Sequence, residues 1–262
     1  MTELSRRAAA LRALHRPGDP LILPNAWDPG SAQAVVAAGF PAVATSSGAV
    51  AEALGHADNE ATPAAEMFAA VARIAAAVPV PVTADLERGY GLRPAELVER
   101  LLAAGAVGCN IEDSDPRTRE LRDREEQADL LAGIRAAARE AGVDLVLNAR
   151  VDVHLRAYGP PEGRLAEAVH RARRYRAAGA DCVYPIVLAD PAAIRTLVTE
   201  VDAPVNVFAR PGAPALAELA GLGVARISFG SGLYEAARAR TVEMLAAIRA
   251  GEEVFPTGGE AG

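Results

Sequence analysis

Residues 102–114 read LAAGAVGCNIEDS: two alanines and a glycine, a short apolar run, then Glu112 and Asp113 side by side. Three other stretches share the form, VAAGFPAVATSS (36–47), RAAGADCVYPIV (176–187) and AGLGVARISFGS (220–231). Between them lie DPLILPNAWD (19–28), VPVPVTADLE (78–87), GVDLVLNARVD (142–152) and DAPVNVFAR (202–210). All eight are short, continuous and apolar, as strands are when a parallel sheet buries both their faces. Each is followed by roughly 15 to 25 residues rich in Ala, Leu, Arg and Glu, a helical composition. The glycine ahead of a strand fits a helix C-terminus, where a residue tolerant of positive φ is needed.

Eight strand–helix units predict an α/β fold of the (β/α)8 barrel type, a single domain over residues 1–255. The competing architecture is a doubly wound open sheet. That fold would usually carry a glycine-rich phosphate loop after its first strand, and LPNAWDPGSAQ (23–33) is not G-x-G-x-x-G. The last seven residues, PTGGEAG (256–262), are expected to be a disordered tail.

Composition narrows the function classes. Of 262 residues 51% are hydrophobic, ample for a packed core, and the net charge is −7 without a basic cluster. Nucleic acid is therefore not an expected partner. All 27 basic residues are arginine, so no lysine can form a Schiff base. Cys109 and Cys182 lie in apolar segments and read as buried free thiols, with a disulfide or redox pair as the alternative. The charged stretch MTELSRRAAALRALHR (1–16) is no signal peptide, and no window approaches the ~18–20 apolar residues of a membrane span. A soluble, cytoplasmic protein is expected.

In such barrels catalytic groups sit at the C-terminal ends of the strands. There this sequence turns polar: Asn25, Trp27 and Asp28 on the first strand, Thr45, Ser46, Ser47 and Gly48 on the second, Asp85 and Glu87 on the third. Glu112 and Asp113 follow on the fourth, Asn148, Arg150 and Asp152 on the fifth, then Tyr184, Asn206 and Ser228. Asp85 and Glu87, two apart, share a face in extended chain. With Glu112 they predict a three-carboxylate cluster opposite Arg150, and such acids repel unless a cation or a proton joins them. Oxygen ligands without histidine suit Mg²⁺ or Mn²⁺, held partly through water. Arg150 presents a planar fork for a substrate carboxylate or phosphonate, with a salt bridge to Asp152 or Glu112 as the structural alternative. Ser46, Ser47 and Gly48 offer hydroxyls and backbone N–H groups as an oxyanion cradle. Of the four histidines only His154, after the fifth strand, is placed to face the site.

Together these residues resemble the isocitrate lyase/phosphoenolpyruvate mutase superfamily, over most of the chain from PNAWDPGSAQAVVAAGF (24–40) to the seventh strand. ATSSGAVAEALGHADNE (44–60) is similar to the family's second strand and loop, where a serine and backbone amides hold the substrate and an Asp-x-Glu, here Asp58 and Glu60, closes the motif. ADLERGYG (84–91) resembles the D-x-D-x-G-Y-G metal motif, with Glu87 in place of the second Asp. NIEDS (110–114) matches the segment whose Glu assists the metal, and NARVD (148–152) the one whose Arg binds a carboxylate. The resemblance implies Mg²⁺ held by Asp85, Glu87 and Glu112, and a 2-oxo or 2-hydroxy acid held by Arg150, Ser46, Ser47, Gly48 and Asn206. It also implies an enolate-type intermediate and a C–C or C–P bond broken beside it.

The loop after the fourth strand departs from the family's pattern. The family's lyases carry a K-[KR]-C-G-H gate and its phosphonate enzymes Lys and Asn in the same loop; this chain has EDSDPRTRELRDREEQ (112–127). Ile186 takes a sixth-strand place where Glu or His is usual. The expected activity is a Mg²⁺-dependent lyase or decarboxylase acting on a small 2-oxo or 2-hydroxy dicarboxylate. Ser46 and Arg150 would act at the reacting centre, Asp58 is a candidate acid or base, and Arg119, Arg122 or Arg124 could supply charge on the loop. The alternatives are a C–P phosphonomutase or phosphonopyruvate hydrolase, and a non-catalytic barrel that only binds an oxo acid. Resemblance further implies a homo-oligomer, tetramer or dimer, exchanging the helix at 231–249.

Overall fold

A computed structural model describes residues 2–255; the tail expected to be disordered lies outside them. Helix α1 (Glu3–Ala13) precedes the first barrel strand, which Pro24 divides into β1 (Leu21–Leu23) and β2 (Asn25–Ala26). Then follow α2 (Pro29–Ala37), β3 (Val43–Thr45), α3 (Ser47–Ala53), α4 (Ala64–Ala76), β4 (Val82–Asp85), α5 (Pro94–Ala103), β5 (Gly108–Glu112) and α6 (Arg124–Glu140). The second half holds β6 (Val146–Val151), α7 (Arg164–Ala177), β7 (Cys182–Pro185), α8 (Pro191–Glu200), β8 (Asn206–Phe208), α9 (Leu216–Gly221), β9 (Arg226–Ser228) and α10 (Gly232–Arg249).

All pairings between these strands are parallel. They run β2-β3-β4-β5-β6-β7 in one sheet and β1-β9-β8 in the other. The chain itself joins the sheets through Pro24, and a bridge between Val183 and Val205 joins β7 to the β8 side. The ring is thereby closed, and the expected (β/α)8 barrel is the fold. The eight predicted strands fall where the apolar runs lie. Every strand is short, two to six residues, so the polar rim begins within a residue or two of the apolar centre.

The repeated Ala-Ala-Gly has a common geometry. After α5, Gly105 N–H bonds Leu102 O and Ala106 N–H bonds Leu101 O, the paired bonds of a Schellman cap. After α7 the same pair joins Gly179 to Arg176 and Ala180 to Tyr175. With φ of +81° and +106° these glycines hold a conformation that costs other residues about 1–2 kcal/mol. Each cap stops a helix and aims the chain back into the sheet.

The main apolar layer lies between strands and helices. At the bottom of the barrel α1 forms a plug, with Ala8 and Leu11 packed among Leu21, Leu23, Val107 and Val146. Gly108 makes room for it, since a Cβ there would lie 3.0 Å from the Leu11 side chain. Both cysteines are buried and free, and burial pushes each thiol up to about 12, so the disulfide alternative is set aside. Inside the barrel Arg226 is fully buried; one of its nitrogens donates to Asn110 Oδ1 at 3.2 Å, while Nε and Nη1 have no partner among the described residues. No helix of the described residues is long and apolar enough to cross a membrane.

Candidate active site

A cavity of about 260 Å³ opens at the C-terminal ends of the strands. It draws together Ser46, Ser47, Gly48, Asp58, Asp85 and Arg150 from segments far apart in sequence. A larger groove of about 670 Å³ lies beside α2 and the start of α10, lined mostly by apolar groups such as Val35, Ala38, Phe40 and Leu233. Convergent charged groups are found in the smaller cavity, which is the site.

Asp85 ends β4. Its Oδ2 accepts from Ser47 N–H (3.2 Å) and Ser47 Oγ (2.9 Å), while its buried Oδ1 has no hydrogen-bond partner among the described residues. Ser46 caps α3 and shares a 2.9 Å hydrogen bond with Ser231. Gly48 lies so close to Ser231 and Asp58 that a Cβ would stand 3.1 Å from the Ser231 hydroxyl. Asp58, at the exposed rim, has its pKa raised by burial of the carboxyl's inner side, an effect the neighbouring Asp85 adds to.

Glu87 and Glu112 sit behind this surface and do not line the cavity. Glu87 Oε2 accepts from Glu60 N–H at 2.6 Å and its Oε1 from Tyr90 Oη at 2.9 Å. Residues 59 and 60 take positive φ to deliver that amide, as do Glu87 and Tyr90 themselves. Burial, followed by the charges of Asp58 and Asp85, pushes Glu87 up to about 8. Glu112, also buried, meets Arg150 Nη1 at 2.6 Å. Burial drives its carboxyl upward against that cation, and Asp152, Asp85 and Glu87 push the same way. Among the described residues no three acid, histidine or cysteine side chains converge closely enough to chelate a metal directly. The expected compact trio is instead a front acid, Asp85, with two acids in a row behind it.

Arg150 projects from β6 with Nε donating to Asp152 Oδ1 (2.7 Å) and Nη2 to Asp152 Oδ2 (3.2 Å). Both structural alternatives for this side chain, Glu112 and Asp152, are therefore realised together. Three of its five N–H groups are so engaged, which leaves two for a ligand. Burial opposes its charge, but Glu112 and Asp152 more than offset that and hold the guanidinium protonated. Asp152 is fixed in turn by Ser114 Oγ (2.6 Å) and by its own N–H on Asp113 Oδ1 (2.8 Å). Asp113 is anchored by Tyr175 Oη at 2.8 Å and Arg171 at 3.1 Å. Arg150 thus stands on three rows of buried polar contacts.

Two expectations need correction. Asn206 is fully buried beneath the cavity, exchanging hydrogen bonds of 3.2 and 3.3 Å with Ser228, and Ser228 is the one that reaches the surface. His154 is likewise absent from the lining; burial lowers its pKa. Asn110, Tyr184, Ser231 and Glu235 line the cavity without having been singled out as binding residues. Asn110 Oδ1 accepts from Asn148 (2.8 Å) and Arg226, which leaves its amide N–H₂ to face the cavity. A polar residue in mid-strand was the available signal for it.

A family model described as phosphoenolpyruvate phosphomutase matches residues 11–249. The chain belongs to that family. Family membership extends the likeness carried by the ADLERGYG, NIEDS and NARVD segments to nearly the whole sequence, within a superfamily of lyases and mutases. An uncharacterized protein of Mycobacterium tuberculosis (strain ATCC 25618 / H37Rv) is 37% identical over 86% of this chain and 85% of its own. A probable 2-methylisocitrate lyase 2 of Corynebacterium glutamicum is 31% identical over 76% of this chain and 66% of its own. Among solved structures, a putative phosphonomutase from Burkholderia cenocepacia J2315 superposes with a TM-score of 0.88 at 46% identity, over 92% of this chain and 99% of that one. A phosphonopyruvate hydrolase complexed with oxalate and Mg²⁺ superposes at 0.82 with 27% identity, over 94% and 88% of the two chains.

Proposed function

We propose that this phosphoenolpyruvate phosphomutase family enzyme is a Mg²⁺-dependent lyase or decarboxylase that cleaves a C–C bond next to the 2-oxo or 2-hydroxy acid end of a small substrate. The observation that carries the proposal is Asp85, which lines the cavity: one carboxylate oxygen is pinned by Ser47, the other is buried without a partner among the described residues. A buried, unpaired carboxylate oxygen is costly, and a cation is its natural complement. Glu87 and Glu112 lie one row back, where they suit water-mediated contact with a Mg²⁺ ion, which prefers to keep several waters. Mn²⁺ would satisfy the same oxygens. An ion held by Asp85, with Glu87 and Glu112 behind it, would supply Lewis-acid charge to stabilise the negative charge that develops on the substrate.

The protein's own groups do the rest. The two remaining N–H groups of Arg150 orient the substrate carboxylate. The N–H of Gly48 and the amide of Asn110 face the negative charge that develops when the bond breaks. Asp58, raised above an ordinary carboxylate, is placed at the mouth to hold or deliver a proton. A C–P bond is the second reading, favoured by the 46% identity to a putative phosphonomutase. As to assembly, we infer that α10 packs on a partner subunit, because none of its residues is buried in the single chain.

The test is pyruvate release from small 2-oxo and 2-hydroxy diacids and from phosphonopyruvate, with Mg²⁺ and with chelator, after subtraction of spontaneous decarboxylation. Turnover should fall at least a hundredfold in chelator and in Asp85→Ala, in keeping with the loss of a main electrostatic contact. Equal turnover in the variant or in chelator rejects the metal reading. Phosphoenolpyruvate formed from phosphonopyruvate, or phosphate released with pyruvate, selects the C–P reading as a mutase or a hydrolase respectively.

A further inference from the structure

Heterolysis of a C–C bond leaves the electron pair on one carbon, and that carbon must then take a proton. The loop at 112–127 holds no Cys, His, Lys or Tyr to give it, and none of its residues lines the cavity. The donor has to come from the cavity itself. There the serine hydroxyls are engaged, Ser46 with Ser231, Ser47 with Asp85 and Ser228 with Asn206. Asp85 is taken up by the proposed cation, and a guanidinium such as Arg150 does not give up its proton. Asp58 and Glu235 stand exposed at the rim. Tyr184 remains, a lining residue that is only 4% exposed and so shielded from water.

The register of the barrel sets its place. Glu112, Arg150 and Tyr184 are partners in turn across β5, β6 and β7, so they project from neighbouring strands at one level. In the eight-strand ring β7 lies opposite β3. A ligand held by Arg150 thus meets Asp58 from the solvent and β3 side, and Tyr184 from the far wall. Burial pushes the phenol up to about 12; Arg150 and a hydrogen bond shared with Ser228 pull the other way, while Asp85 adds to the rise and Arg226 offsets it. Tyr184 therefore keeps its proton at neutral pH. It also has a cation and a hydroxyl beside it to steady the phenolate once the proton has gone.

We propose that Tyr184 is the catalytic acid that protonates the carbon freed by C–C cleavage, and that the substrate is a 2-oxo diacid. This rests on the proposed function. The C3–C4 bond breaks and its electron pair passes into the enolate of the 2-oxo acid. The Tyr184 Oη–H bond then breaks, its proton forms the new bond to C3, and the phenolate regains a proton from water. A 2-oxo diacid needs this one acid, because its own carbonyl takes up the electron pair. A 2-hydroxy acid would also need a shielded base at its hydroxyl, and the cavity has no uncommitted carboxylate that is not exposed.

Exchange of the pyruvate methyl protons in D₂O runs the protonation step backwards and is read by proton NMR. It is followed on the full chain with Mg²⁺, after subtraction of the rate without protein. The wild type should exchange, and the rate should rise about tenfold per unit between pH 7 and 9. In this direction the phenolate is the base, and its fraction grows tenfold per unit below its pKa. Tyr184→Phe should lower exchange at least about a hundredfold, while oxalate affinity by isothermal titration in Mg²⁺ stays within about twofold of the wild type. Equal exchange by Tyr184→Phe, a flat pH profile as a carboxylate base would give, or no exchange by a wild type that binds oxalate each overturns the acid and leaves the proposed function standing. Failure of oxalate to bind in Mg²⁺ overturns both.

Discussion

Arg226 shows how a single residue can be costly and retained. It is fully buried inside the barrel, and two of its nitrogens lack partners among the described residues. Burial presses its pKa below the usual guanidinium range. Among the described residues its one side-chain hydrogen bond goes to Asn110 Oδ1, which helps to turn that amide towards the cavity. A buried charge so poorly compensated adds nothing to stability, and replacing it by an apolar side chain of similar length is neutral or stabilising by up to about 4 kcal/mol. Arg226→Met should therefore keep or raise the midpoint of denaturant unfolding. Oxalate affinity should fall about tenfold, because Asn110 loses one of the two donors that fix its orientation. Lower stability together with unchanged oxalate binding would instead make Arg226 a structural residue. At this scale the sequence conceals much: a lone Arg in GVARISFGS reads as a surface charge, and only the closed ring shows that it points inward.

At the scale of elements the Schellman caps are what makes the repeat work. Gly39 and Gly179 both have positive φ, +89° and +106°, but their surroundings differ. Nothing lies within 4 Å of a Cβ built on Gly39, whereas at Gly179 it would meet the Arg135 side chain at 2.9 Å. Arg135 cannot easily give way, since it donates to Gly179 O (3.0 Å) and Leu145 O (2.8 Å) and pairs with Asp144 at 2.6 Å. Gly39→Ala should cost about 1 kcal/mol, the conformational term alone. Gly179→Ala should cost about 2–3 kcal/mol, with the clash and a disturbed buried network added. Urea titration of both variants checks the difference; equal losses would mean that the cap, not its packing, sets the cost. These caps are also why the fold was legible. Continuous apolar runs behind Ala-Ala-Gly located the strands, and their polar ends gave Asp85, Ser46 and Arg150. Helix α3 was not foreseen, because SGAVAEA (47–53) is too short for a clear period. The depth of Asn206 and Glu112 was not legible either, since a strand's alternation gives side but not height.

The whole molecule leaves one surface without a counterpart. Helix α10 buries none of its residues, and Val242, Leu245 and Ile248 are 60%, 59% and 52% exposed on its outer half. Its first turns are tied down, by the edge-to-face contact of Tyr234 with Trp27 at 5.3 Å and by Arg238 on Glu52 at 2.7 Å. The same first turn, with α2, borders the apolar groove of about 670 Å³ that holds no charged cluster. A helix with apolar residues at three-residue spacing and a vacant apolar groove on one chain suit each other when two copies exchange them. The exchange would bear on catalysis, because Ser231 and Glu235, at the start of α10, line the cavity. A helix left unpacked beyond them would hold both loosely. Leu245→Glu combined with Ile248→Glu should sediment as a smaller species than the wild type, with a lower melting temperature and weaker oxalate binding. Those two positions are far along α10 from the cavity, so a loss of binding there would report assembly rather than contact. An unchanged sedimentation coefficient would reject exchange of α10, and a smaller species with full oxalate affinity would show that each barrel completes its site alone.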